Sequence, residues 1–216
     1  MEKRKEYIFF SVIIGIFYIS LLYLDCFSKR SAETYQLKYG IIWIFFLETT
    51  FSLLEKGYQC LWNNWLWKLR FAVILADFYF LFTPYNASGI GGYLAVQIIY
   101  RERITFHHQH KNKKRNLLLI ELCTIMLLIG IGIFYGDYVI YVFGAVYGGI
   151  LFLNLKTVWK SYLRGEDELF YLALSLIFLA LCDTSIFLNF LWNSEVISNL
   201  IWCFYIPSQL LLAKYE

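Results

Sequence analysis

Eight apolar runs, near residues 7–24, 40–54, 65–82, 89–100, 117–135, 138–155, 169–189 and 196–213, fill most of this 216-residue chain and leave only short polar stretches between them. No soluble domain of this size has a core large enough to bury them. With 60% hydrophobic residues, 21% aromatics and only two prolines, the composition is that of a polypeptide that lives in lipid. A helix needs about 20 apolar residues to cross a bilayer. Most of the runs approach that length, while 40–54 and 89–100 must borrow flanking residues or tilt. The sequence therefore predicts an all-α, polytopic membrane helix bundle of eight transmembrane helices, forming one integral membrane domain over 1–216.

Charge placement supports that count. Lysine and arginine concentrate in the cytoplasmic loops of membrane proteins. With the N-terminus inside, the predicted outer segments hold only Lys29, Arg30 and Lys38, all in the first loop, and the other 16 of 19 basic residues fall inside. Eight spans with both termini cytoplasmic follow, whereas merging two spans into one would scramble the asymmetry. Residues 7–24 follow a short basic end and lack a small-x-small cleavage pattern behind them, so they are expected to be the first span and not a cleaved signal. The expected location is a cytoplasmic membrane of bacterial type. The five cysteines, Cys26, Cys60, Cys123, Cys182 and Cys203, are odd in number, show no C-x-x-C spacing and read as packing residues.

Residues 101–116, RERITFHHQHKNKKRN, carry six basic residues and three histidines. A cytoplasmic loop resting on anionic headgroups accounts for them. His107, His108 and His110 have no carboxylate or cysteine beside them to complete a metal site, and no folded platform adjoins the basic run to make it a nucleic-acid site. No metal, no cofactor and no nucleic-acid partner are expected. A retinal-type Schiff base is excluded on the same count, because no lysine is predicted within a span.

Function is carried by acids inside the spans. A carboxylate at mid-membrane costs roughly 2.5–3.5 kcal/mol on insertion scales, which makes an intramembrane acid a functional candidate by default. Asp77 and Asp183 lie roughly 8 Å and 10 Å below the outer ends of their helices at about 1.5 Å rise per residue. By the same measure Glu48, Gln97, Tyr147, Tyr205 and Gln209 lie about 12–20 Å from the outer end. Each polar residue taken alone is equally explained as a satisfied bond between packed helices. Tyr93, Gln97 and Tyr100 follow i, i+4, i+7 spacing and share one helix face, as Tyr205 and Gln209 do on the last span. The strings Tyr93-Leu-Ala-Val-Gln97 and Tyr205-Ile-Pro-Ser-Gln209 each follow a span bearing an aspartate. They suggest a parallel 4+4 repeat with a site where the halves meet.

These residues resemble the lysoplasmalogenase family, which includes the bacterial YhhN-like membrane proteins. The family's glycine-aspartate, followed by a glycine-containing helix with an aromatic and then polar-x-x-tyrosine, is matched by Ala76-Asp77, Gly92-Tyr93 and Gln97-Ile98-Ile99-Tyr100. Its serine-aspartate with an asparagine six residues later is matched by Cys182-Asp183 and Asn189. Its last-span tyrosine and glutamine are matched by Tyr205 and Gln209. Alanine stands for the glycine at 76, and Gln97 stands where histidine is usual. The first two spans carry no motif, so the resemblance covers about half of the chain.

The resemblance implies hydrolysis of the vinyl ether of a lysoplasmalogen, giving a fatty aldehyde and a glycerophospho-alcohol, with a lysophospholipid as substrate and membrane lipids as surroundings. Such an ether is cleaved by protonating its β-carbon, capturing the oxocarbenium ion with water and letting the hemiacetal collapse. One carboxylic acid and one carboxylate suffice, and two neighbouring buried carboxyls divide into such a pair. Asp183 is assigned as the acid and Asp77 as the base, because Leu179 and Phe187 give Asp183 the less polar helix face. Glu48, Tyr93, Gln97, Tyr100, Tyr147, Asn189, Tyr205 and Gln209 are the candidate substrate-binding residues. Two other classes use the same acids: a membrane terpene cyclase-like enzyme, and a proton-coupled carrier or small-molecule receptor. Headgroup, chain length, the division of acid and base between the two aspartates, and oligomeric state are not fixed by the sequence.

Overall fold

A computed structural model describes residues 2–27, 32–108, 127–192 and 194–215 of the chain. All regular structure among them is helical. The order is α1 (Glu2–Phe27), α2 (Ala32–Leu54), a short α3 (Tyr58–Asn63), α4 (Trp65–Phe82), α5 (Asn86–His108), α6 (127–135), α7 (Asp137–Tyr162), a 3-10 turn (Asp167–Leu169), α8 (Phe170–Trp192) and α9 (Glu195–Tyr215). Each of the eight apolar runs falls on a helix, although 117–126 of the fifth run lies outside the described residues. Four segments, Thr34–Leu54, Tyr138–Tyr162, Asp167–Asn189 and Val196–Tyr215, are long and apolar enough to cross a membrane. They also present large apolar side chains outward, such as Tyr141, Phe152 and Phe187, a surface that suits lipid and not water. By length and composition these helices make the chain a membrane protein. α4 is less apolar because Lys68, Arg70 and Asp77 share its 18 residues.

The chain divides into two compact units, one of residues 1–45 and 158–216 and the other of 46–157. In the second unit α4 and α5 pack along their lengths. Asn64 starts α4 by accepting the amide N–H of Trp67 on its side chain at 3.0 Å, the usual satisfaction of a first-turn donor. α6 ends at Gly136, whose φ of 51° lies in the left-handed region, and its N–H closes on the Gly132 carbonyl at 3.0 Å, as C-terminal glycines do. In the first unit α8 and α9 form a tightly packed hairpin and α1 lies against α9. Ser175 and Ser208 each donate a hydroxyl to the other's backbone carbonyl, at 2.9 and 3.0 Å. Pro207 sits inside α9 and has no N–H for the Cys203 carbonyl one turn back. The Tyr18 hydroxyl of α1 donates to that carbonyl at 3.4 Å, so the group freed by the proline gains a partner from a neighbouring helix.

Three expectations about charged residues change. Residues 101–108 continue α5 and are not loop, because Ile104, one turn after Tyr100, is buried and extends the same apolar face. Arg101 bonds Thr157 at 3.0 Å, and the Arg103 guanidinium lies 5.5 Å from the centre of the Trp65 ring. Lys38 is not in an outer loop. It lies in α2, is 5% exposed, and sits 5.3 Å from the centre of the Trp202 ring and 5.9 Å from that of Tyr35. Arg70, one of the 16 basic residues counted on the cytoplasmic side, is not in a polar segment but within α4 and 2% exposed. Its Nη1 donates to Glu48 Oε2 at 3.2 Å and to the Thr49 hydroxyl, tying α4 to the end of α2. Of the five cysteines, Cys60, Cys182 and Cys203 are described as free thiols, while the side chains of Cys26 and Cys123 lie outside the described residues.

Breaking a buried ion pair from one side strands the other charge and costs about 3–5 kcal/mol, whereas replacing both ends by apolar groups is often neutral. Glu48→Ala is therefore expected to lower the thermal unfolding midpoint in detergent, and Glu48→Leu with Arg70→Met is expected to restore most of it. Unfolding curves of the single and double variants check this.

Candidate functional site

Helix α4 brings Asp77 to the candidate site through a close approach of two backbones. Ala76 and Gly92 meet where α4 crosses α5, and a Cβ placed on Gly92 would lie 2.8 Å from the Ala76 Cβ, inside contact distance. Two small residues thus let the helices touch. The next residue on each helix then meets its counterpart: the Tyr93 hydroxyl donates to Asp77 Oδ1 at 2.6 Å. Asp77 is 6% exposed. The Tyr93 ring contacts two others, Phe80 of α4 at 5.8 Å and Tyr147 of α7, edge-on, at 6.4 Å between ring centres.

One turn along α5, Gln97 is fully buried. Its Nε2 donates to the Tyr147 hydroxyl at 3.4 Å, and the amide nitrogen of Asn154 donates to Gln97 Oε1 at 3.1 Å and to the Gln97 backbone carbonyl at 3.0 Å. Pairs 93–147, 97–154 and 101–157 advance in the same direction on both helices, so α5 and α7 run parallel here. Tyr100 is buried with its ring 6.3 Å from that of Trp65. Within this unit the structure brings together Asp77, Tyr93, Gln97 and Tyr147 as a continuous cluster. Glu48 is placed otherwise: its described partner is Arg70, which gives it a role in joining α2 to α4.

In the other unit Asp183 is half-buried on α8, in a turn where Cys182 and Ser185 are buried and Phe187 is exposed. Leu179, one turn before, is buried. Asn189 is half-buried, and its Oδ1 is enclosed without a hydrogen-bond partner among the described residues. On α9 Tyr205 and Gln209 are both buried, and Tyr205 meets the Trp202 ring edge-on at 5.2 Å. Trp202 in turn lies under the Lys38 ammonium, which charge counting assigned to the first outer loop. The side chains of His107 and His108, and the whole of His110, lie outside the described residues. Among the described residues no three His, Cys, Asp or Glu side chains gather as a metal site would require.

Asn154 is the residue that sequence reasoning missed. It has no motif around it, and only its i, i+7 relation to Tyr147 on one helix could have pointed to it. No protein-family model, curated protein or solved structure matches the chain.

Gly92→Ala puts a methyl group against Ala76 and is expected to push α5 off α4, lowering stability by about 1–3 kcal/mol. Ala76→Gly in the same chain should recover most of that loss. Tyr93→Phe, which keeps the ring and removes one hydrogen bond to a carboxyl, should cost about 1.5–3 kcal/mol or less. Thermal unfolding of the three variants beside the parent protein in one detergent is the measurement.

Proposed function

We propose that the chain is a membrane hydrolase that cleaves the vinyl ether of a lysoplasmalogen, with Asp77 and Asp183 as its acid–base pair. The observation that carries this reading is the Asp77 carboxyl, buried within α4 and held at 2.6 Å by the Tyr93 hydroxyl. A buried acid in an apolar helix is costly, and here two small residues and an aromatic clamp are spent on aiming it. Asp77 accepts a hydrogen bond from the Tyr93 phenol, an environment that suits the ionised partner of the pair. Asp183 then delivers the proton to the β-carbon of the ether. The oxocarbenium ion that results draws stabilisation from the carboxylate, and water adds to its α-carbon while passing a proton to Asp77. Collapse of the hemiacetal passes its hydroxyl proton to the leaving glycerol oxygen and yields aldehyde and glycerophospho-alcohol, and return of the proton now on Asp77 to Asp183 through solvent resets the pair. No metal or organic cofactor enters these steps.

The finer architecture belongs to the same proposal. Eight spans with both termini on the cytoplasmic side would put the C-terminal end of α5, with Arg101 and Arg103, at the inner leaflet of a bacterial membrane. Aromatic and basic side chains at helix ends favour this arrangement: Arg103 on Trp65 in one unit, and Lys214 on Tyr171 at 4.5 Å in the other, as interfacial anchors do. A parallel repeat is supported by the two hairpins, α4–α5 and α8–α9, each with an aspartate on its first helix and a buried glutamine one turn beyond a tyrosine on its second. A lysolipid enters such a bundle sideways, with its headgroup at the polar surface and its ether below.

Purified protein incubated with vinyl-ether and ester lysolipids of matched chain length is expected to release free aldehyde from the first and no fatty acid from the second. Asp77→Asn and Asp183→Asn should each lower aldehyde release at least about 100-fold, the lower end of what a positioned acid or base supplies, with unchanged folding in detergent. Full activity in either variant removes that residue from the mechanism. Cyclised product from a polyprenyl substrate, or uptake without bond cleavage, would replace the hydrolase reading with that of a cyclase or a carrier.

A further inference from the structure

Asn154 is fully buried on α7 opposite an equally buried Gln97 on α5. Its amide nitrogen faces two oxygens, the Gln97 backbone carbonyl at 3.0 Å and Gln97 Oε1 at 3.1 Å. A backbone carbonyl in a helix cannot rotate and can only accept, so it dictates which end of the asparagine amide turns toward α5. Reversed, Asn154 Oδ1 would confront two acceptors. The enforced orientation leaves Oδ1 buried on the far side with no hydrogen bond among the described residues. That is a cost the fold accepts in order to keep the amide pointing this way.

The direction set at Asn154 propagates. With Oε1 occupied, the Gln97 amide turns its nitrogen outward, and Nε2 donates to the Tyr147 hydroxyl at 3.4 Å. That bond holds the Tyr147 phenol, whose ring meets that of Tyr93 edge-on at 6.4 Å. Tyr93 in turn holds Asp77. The constraint therefore runs from an immovable backbone acceptor through two donating amides to a phenol, and a ring contact carries it on toward the carboxyl.

We propose that Asn154 is a positioning residue for Asp77, acting through Gln97 and Tyr147, without touching the carboxyl itself. Its importance for turnover rests on Asp77 being catalytic, as proposed above, but the positioning itself does not. Asn154→Leu, close in size and unable to donate, is the first variant. Asn154→Ser, which keeps a donor on a shorter arm, is the second in case leucine prevents folding. Two readouts separate the claims. The infrared carboxyl band of Asp77, isolated by subtracting the spectrum of Asp77→Asn, should shift in either variant as the Tyr93 bond loosens. In aldehyde release, kcat should fall about 10- to 100-fold, the scale of a slightly misplaced group, with KM changed by no more than about twofold. In a double-mutant cycle, Asn154→Leu should have no further effect once Tyr147→Phe is in place. An unshifted Asp77 band, or additive effects of the two substitutions, overturns the proposal. A shifted band in a protein that releases no aldehyde supports the positioning role and overturns the hydrolase reading instead.

Discussion

The contact between Ala76 and Gly92 is the constraint on which the candidate site depends. Two helices with ordinary side chains at that crossing would stand too far apart for a tyrosine of one to bond an aspartate of the other at 2.6 Å. Removing the side chain at one position and reducing it to a methyl at the other lets the backbones meet. In lipid this closeness has a further value. Apolar surface gains little by leaving hydrocarbon for protein, so helix association relies on van der Waals fit and on polar bonds between helices. The small pair supplies the first and Asp77–Tyr93 the second, one residue apart. Similar close approaches recur on α5, where Gly91 lies against the Leu128 carbonyl, and on α6, where Gly132 lies against the Ser88 backbone. Ser88 adds a hydroxyl bond to the Ile129 carbonyl at 3.2 Å.

Charge is managed by pairing inside each unit. Arg70 would be costly in the apolar half of α4 without an anion, and Glu48 with Thr49 provides the acceptors. Trp67, one turn from Arg70 on α4, donates its indole N–H to Thr50 at 3.1 Å and stacks on Phe71, so the polar seam is lined by rings that fit closely around it. Lys38 is treated differently. Its ammonium lies over the faces of Tyr35 and Trp202, where the electron-rich rings attract the cation electrostatically.

The positions of the helices were legible because hydrophobic runs are a property of one segment at a time, and each run predicted from the sequence lies on a helix in the described residues. The shared face of Tyr93, Gln97 and Tyr100 was legible for the same reason, since helical spacing alone decides it. What lay beyond reach was pairing across helices. Charge counting placed Lys38 in the first outer loop and Arg70 in a cytoplasmic segment because it weighs how many cations a segment has, whereas burial depends on whether an acid or a ring on another helix meets them. Ile104 likewise carried α5 past the point where charge density suggested a loop. Asn154 was invisible for a related reason: an asparagine in an apolar helix has no signature until its partner is known. Its partner is fixed by the parallel packing of α5 and α7, which no single-segment pattern encodes.

The two strings that suggest a repeat are packed by different chemistry. In α5 the turn from Tyr93 to Gln97 contains Leu, Ala and Val, all buried in part or in full, and the close approach comes from Gly92 just before it. In α9 the turn from Tyr205 to Gln209 contains Pro207 and Ser208. There the contact with the preceding helix is made by hydroxyls, Ser208 with Ser175. A glycine contact depends on the absence of a side chain and tolerates nothing larger. A pair of serines depends on two directed bonds and keeps the helices at a set distance. The proline adds a second difference, because it releases the Cys203 carbonyl, which accepts the Tyr18 hydroxyl of α1. The hairpin of the first unit is thereby tied to a third helix at the turn where Tyr205 and Gln209 begin. In α5 the corresponding tie is made through the side chain of Gln97 itself. A similar pair of polar residues has been embedded twice, and the packing that surrounds it differs in kind between the two hairpins.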